Sequence, residues 1–162
     1  MKQQKQAGFY HSFNKIVQYF LAFLMMAITA LTFYQVVMRY VFKSAPFWSE
    51  EMVRFLFIWV SFVAAAIGIK EHIHIGIDAL VNIFPKPVQK IINVLVYTVI
   101  SIFGAALIYY GWPVVVMTSN QPSPALGIPM SYVYASLPIM GAMVIFYSLF
   151  EVAVLLRNVK EG

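Results

Sequence analysis

Of the 162 residues in this chain, 62% are apolar or aromatic and only 10% carry a charge, giving a mean hydropathy of +0.80. Soluble domains are roughly one-quarter charged, so the composition excludes a soluble globular protein and points to an integral membrane protein. Cysteine is absent, which excludes disulfides, iron–sulfur clusters and thiol chemistry, and the net charge of +5 is spread along the chain without a basic stripe, so nucleic acid is not an expected partner.

A helix needs about 20 predominantly apolar residues to cross the hydrocarbon. The first such stretch runs from Ile16 to Met38. Lys15 ahead of it and the small residues Ala27-Ile28-Thr29-Ala30 within it resemble a secretory signal, but the run is longer than a usual signal core and predicts a retained helix. The second stretch, Met52 to Ile69, is the shortest, and it reaches spanning length if Glu50, Glu51 and Arg54 form its first turn at the interface. Between Ile73 and Val88 apolar residues recur at helical spacing opposite His74, Asp78, Asn82 and Lys86, which predicts a short amphipathic helix on the cytoplasmic interface, broken by Pro85 and Pro87. The third stretch is Ile91 to Met117, and Gly104, Gly111 and Pro113 predict that its regular part ends near Trp112. The connection from Thr118 to Ser131 has no charge and three prolines, and it reads as a compact turn that dips into protein. The fourth stretch runs from Tyr132 to Leu156.

The expected fold is therefore all-α, a single membrane domain of four transmembrane helices with a short interfacial helix between the second and third. Placing both termini in the cytoplasm puts eight basic residues inside and two or three outside, which satisfies the positive-inside rule. Trp48, Tyr109, Tyr110, Trp112, Tyr132 and Tyr134 then form an aromatic belt at the outer interface.

The mouth of the second span, Phe47-Trp48-Ser49-Glu50-Glu51-Met52-Val53-Arg54, gathers acids and bases at a membrane boundary. Each such group costs about 2.5–3.5 kcal/mol to insert at mid-membrane, so a cluster held at the edge needs interface water or partners. Ser49 is positioned as an N-cap, Glu50 and Glu51 suit the positive end of the helix dipole, and Glu50 and Arg54 stand at i,i+4. With Arg39 at the end of the first span, a network of Arg39 and Arg54 with Glu50 and Glu51 is expected to fix the outer ends of the first two helices. Ala64 with Gly68, Ser101 with Ala105, and Ala142 near Ala135 and Gly141 are places where backbones can approach.

Mid-span chemistry is missing. The polar residues at mid-depth are Thr29, Thr32, Ser61, Thr98 and Ser101, hydroxyls that commonly satisfy backbone carbonyls. Transporters and channels that work alone keep ionisable groups along a wet path. None of His11, His72 and His74 lies inside a span, and His72 and His74 point to opposite sides of a helix, so neither haem nor metal ligation is expected. Catalytic triads, zinc-protease motifs and phosphate loops are absent, so no enzyme activity and no cofactor are expected.

Arg39-Tyr40-Val41-Phe42 followed by Trp48-Ser49-Glu50-Glu51 with Arg54, then Lys70-Glu71-His72-Ile73-His74-Ile75 with Asp78, and finally Ala125-Leu126-Gly127-Ile128-Pro129-Met130 with Tyr132, Pro138 and Gly141 carry a resemblance in their order and spacing. The chain resembles the small membrane subunit, DctQ-like, of tripartite ATP-independent periplasmic (TRAP) transporters. That resemblance implies a sodium-driven importer of an organic anion, such as a sialic acid or a C4-dicarboxylate, in the bacterial inner membrane. It implies two protein partners, a large (M-type) membrane transport subunit and a periplasmic substrate-binding protein, besides membrane lipids. The small subunit would be a scaffold for the large one and help dock the periplasmic protein. On this reading Arg39, Trp48, Glu50, Glu51 and Arg54 form an outer structural network, and the segment holding His72, His74 and Asp78 a cytoplasmic interface. Two other classes stay open: a stand-alone four-helix exporter, for which Glu51 and Glu151 lie too close to span ends, and a haem or quinone anchor for a redox enzyme, which lacks in-span histidines.

Overall fold

The computed structural model describes residues 2–44, 46–70, 81 and 83–160. The described residues form five helices: α1 (Lys2–Tyr40), α2 (Phe47–Lys70), α3 (Lys86–Met117), the single turn α4 (Ser131–Tyr134) and α5 (Ser136–Lys160). Four segments are long and apolar enough to cross a membrane: Tyr10–Tyr40, Phe47–Ile69, Val88–Met117 and Ser131–Leu155. Most of the amphipathic segment expected before α3, including His72, His74 and Asp78, lies outside the described residues.

Two helix ends differ from the sequence expectation. Ser49 is not the N-cap of α2. Pro46, with its preset φ and no N–H to satisfy, allows the helix to start at Phe47. Ser49 then sits inside the first turn, fully buried, and its hydroxyl and N–H both donate to the Pro46 carbonyl at 2.8 and 3.2 Å. Helix α3 likewise does not stop at Trp112 but runs through Pro113 to Met117. A proline inside a helix strands one carbonyl and crowds the preceding turn. Here Tyr109 and Pro113 are both exposed, so the stranded carbonyl and the ring lie away from the packed face of the helix. The helix ends at Thr118, whose N–H and hydroxyl both donate to the Val114 carbonyl, at 3.0 and 2.7 Å.

The spanning helices pack mainly in the order α1, α2, α5, α3, and α1 also touches α5 through Tyr10 and Phe13. Hydrophobic matching between helices drives little association inside a bilayer, so close packing must supply it. The α3–α5 seam shows this at Gly104 and Gly141, where a Cβ added to either would stand 2.9 or 2.6 Å from the other's carbonyl oxygen. These glycines, rather than Ser101 with Ala105, form the seam; Ala105 and Ala142 are exposed, as is Ala64. Apart from that seam, Val17, Val63, Ala66, Ile67, Val144 and Tyr147 form the buried core shared by α1, α2 and α5. Tyr10 of α1 stacks on Phe150 of α5, ring centroids 3.9 Å apart, and closes that core toward the N-terminal end of α1 and the C-terminal end of α5.

Candidate functional site: the first turns of α2 and the loop between α3 and α4

The first two turns of α2 carry the charges singled out above, and the structure gives neighbouring glutamates different partners. Glu50, on the exposed side, forms an ion pair with Arg39 at the end of α1; both side chains are about half exposed. It pairs across helices rather than along α2 with Arg54. Trp48 lies beside Tyr34 of α1, ring centroids 6.1 Å apart, so two contacts join the C-terminal part of α1 to the start of α2.

Glu51 faces the opposite way and is only 8% exposed. Its Oε2 accepts the backbone N–H groups of Ala125 and Leu126, each at 2.8 Å. A buried carboxylate needs charge-assisted hydrogen bonds to offset its desolvation, and successive backbone N–H groups converging on one oxygen provide them. The loop is shaped to present them. Ser123 N–H donates to Ile128 O at 2.8 Å, Gly127 N–H to Ser123 O at 3.1 Å and Met130 N–H to Gln121 O at 2.9 Å, with a single antiparallel bridge between Pro122 and Pro129. Gly127 turns the chain with φ of 66°, a left-handed conformation that a residue without a Cβ adopts freely.

Two turns further along α2, the Trp59 indole N–H donates to the Tyr132 carbonyl at 3.1 Å. That carbonyl lies where α4 passes into α5. The next one, of Val133, accepts the hydroxyl of the buried Ser136 at 2.7 Å. One face of α2 thus holds this loop twice, at its tip through Glu51 and at its base through Trp59.

Arg54 is exposed and, among the described residues, has no carboxylate within 4 Å. The four charged positions therefore do not form a single network: Arg39 with Glu50 is one unit, Glu51 with the loop is another, and Arg54 stands apart. Of the aromatic residues placed at the outer interface, Trp48, Tyr109, Tyr110, Trp112 and Tyr132 are exposed, while Tyr134 is partly covered. The sequence reading missed the loop contact because its donors are main-chain groups. The only signal was an uncharged, proline-rich stretch ending in Leu126-Gly127, the composition of a loop that buries polar backbone.

The charged side chains here serve as clasps between segments, and the described spans hold no proton or ion relay. Comparison with known proteins places this architecture. The model of the DctQ component of tripartite ATP-independent periplasmic transporters matches residues 28–158. The chain belongs to that family. It is thus a component of a transporter and not an enzyme, and a multi-pass protein of the inner membrane. The chain is 36% identical over 99 residues to the C4-dicarboxylate TRAP transporter small permease protein DctQ of Vibrio cholerae, covering 61% of this chain and 43% of that one. It is 29% identical over 134 residues to a putative TRAP transporter small permease protein of Haemophilus influenzae, covering 83% of each. Against the sialic acid TRAP transporter permease protein SiaT of Haemophilus influenzae it is 28% identical over 137 residues, 82% of this chain but only 22% of the relative. The matched region thus spans under half the length of two of these relatives.

Proposed function

We propose that this chain is the small permease subunit of a sodium-driven TRAP transporter importing an organic anion of the sialic acid or C4-dicarboxylate class. It acts as a scaffold that widens the static frame beside a large transport subunit, and its outer loop helps dock a periplasmic substrate-binding protein. Both termini face the cytoplasm. The observation that carries the reading is where the ionisable groups are used. Between Arg54 and Lys70, and between Lys90 and Glu151, no Asp, Glu, Lys, Arg or His occurs in a described span, so these spans offer no ionisable side chain to an ion crossing the bilayer. The charges at the outer end hold one helix to another and a loop to a helix. SiaT supports a larger partner, since that protein carries the equivalent of this chain within a polypeptide several times longer.

The test is affinity purification of a tagged chain from native membranes in mild detergent, with mass spectrometry of what elutes stoichiometrically. Recovery of a large polytopic protein, and sodium-dependent uptake by the reconstituted pair with a periplasmic binding protein, is the expected result. Recovery of this chain alone, dispersed and stable, overturns the reading in favour of a stand-alone exporter.

A further inference from the structure

This packing leaves each helix with an outward surface, and α2's differs from the others. Below the Arg39–Glu50 pair, α2 carries Arg54, Phe57, Ser61, Ala64 and Ala65 as exposed positions. The outward side of α1 carries Tyr19, Phe23, Met26 and Phe33, and that of α3 carries Leu95, Val99, Ile102 and Phe103, large side chains of the kind lipid tails accept. An apolar groove of about 340 Å³ on α3, floored by Ala106 and Gly111 and walled by Phe103, Tyr110 and Leu137, has no charged group and suits an acyl chain as well as a side chain. It therefore selects no protein partner. Below Phe57, α2 instead shows only small residues on its open side, which let a second helix backbone approach.

Charge decides what kind of helix that is. Arg54 lies seven residues into α2, about 10 Å along the axis from its start. A guanidinium near a helix end is held by interface water, by lipid headgroups or by an acidic partner. Its neighbours on the same face cannot neutralise it, because Glu50 is engaged by Arg39 and Glu51 is turned to the loop. Among the described residues, the face therefore carries one positive charge without an acidic partner.

The geometry points to this face of α2 as the seat of a transmembrane helix of the large subunit, one presenting an Asp or Glu at the depth of Arg54. This rests on the reading of the chain as a small permease subunit. The acid engages the planar guanidinium in a fork of two hydrogen bonds, and Ser61, Ala64 and Ala65 take the backbone of the same helix further down.

The chain has no native cysteine, so single cysteines report position directly. Ser61→Cys and Ala64→Cys on α2, and Ile102→Cys on α3 as the comparison, are co-expressed with the large subunit and labelled in the membrane with benzophenone maleimide. The expected result is a covalent adduct to the large subunit from both α2 positions at five-fold or more the yield from Ile102→Cys. Arg54→Glu should lower co-purification of the large subunit at least ten-fold, with Arg54→Lys retaining most of it. Adducts from Ile102→Cys alone overturn the choice of face, as do pairs that co-purify while α2 yields only lipid adducts; in that case Arg54 reaches headgroup phosphates. Unchanged co-purification with Arg54→Glu overturns the acidic partner. If wild-type protein recovers no large subunit, the small-subunit reading itself falls and this proposal with it.

Discussion

Glu51 and Leu126 are 75 residues apart in sequence and joined by a 2.8 Å hydrogen bond from the Leu126 N–H to Glu51 Oε2, with the Ala125 N–H on the same oxygen. The contact makes the first turn of α2 the anchor for the outer loop. Hydrogen bonds to a charged acceptor contribute about 1.5–3 kcal/mol each, less where water can replace the lost partner. Glu51→Ala should therefore destabilise the protein by about 2–4 kcal/mol. Glu51→Gln, whose amide oxygen still accepts, should cost about 1–2 kcal/mol. Unfolding in detergent measures the difference, and exchange of the Ala125 and Leu126 amides should quicken in the same order. Equal stability and unchanged protection in both variants would refute the role given to Glu51.

The neighbouring glutamate should behave otherwise. The Arg39–Glu50 pair is about half exposed on both sides, and exposed ion pairs contribute from nothing to about 1 kcal/mol. Glu50→Gln and Arg39→Gln are expected to shift stability by less than about 1 kcal/mol, and the double variant by no more than the larger single effect. A loss from Glu50→Gln matching that from Glu51→Ala would mean that the pair is a structural requirement rather than a surface clasp.

This contrast marks how far the sequence could be read. Long apolar runs between charged ends locate all four helices, because the bilayer imposes a length that hydropathy records. Pairing of Arg39 with Glu50 was within reach because both side chains sit at the same membrane face with opposite charge. The role of Glu51 was not, since its partners are N–H groups present on every residue except proline, and only the folded loop aims two of them at one point. Of the α3–α5 seam, the sequence marks Gly141 as a place of close approach but not its partner Gly104. Gly104 and Gly141 lie in different helices, and register between two helices is set by packing along their whole length, which local spacing does not encode.

Glycine substitutions separate close approach from backbone strain. A Cβ at residue 141 would stand 2.6 Å from the Gly104 carbonyl oxygen and 2.9 Å from Ile108 Cγ1, and a backbone carbonyl cannot swing aside. Gly141→Ala is expected to cost about 3 kcal/mol, the upper part of the usual range for overpacking. At Gly127 a Cβ meets nothing within 4 Å, but φ of 66° is unfavourable for alanine. Gly127→Ala should cost about 1–2 kcal/mol and Gly127→Asn much less, because asparagine tolerates that conformation. Thermal unfolding of the three variants in one detergent is the measurement. If Gly127→Asn and Gly127→Ala cost the same, strain at Gly127 is not the cause.

The joint between α4 and α5 offers the most discriminating case, because two side chains from different helices satisfy adjacent carbonyls there. Trp59 of α2 donates to the Tyr132 carbonyl at 3.1 Å, and Ser136, at the start of α5, donates to the Val133 carbonyl at 2.7 Å. Each bond is of the kind that contributes about 0.5–1.5 kcal/mol. Trp59→Phe, which keeps an aromatic ring and removes the N–H, and Ser136→Ala should therefore each cost about 1 kcal/mol. The two bonds fix the same few residues of backbone, so losing one loosens the geometry that the other needs. The double variant should consequently cost less than the sum of the singles, with a coupling of at least about 0.5 kcal/mol. A double-mutant cycle on detergent-solubilised protein supplies the number. Strict additivity would show that the two carbonyls are held independently.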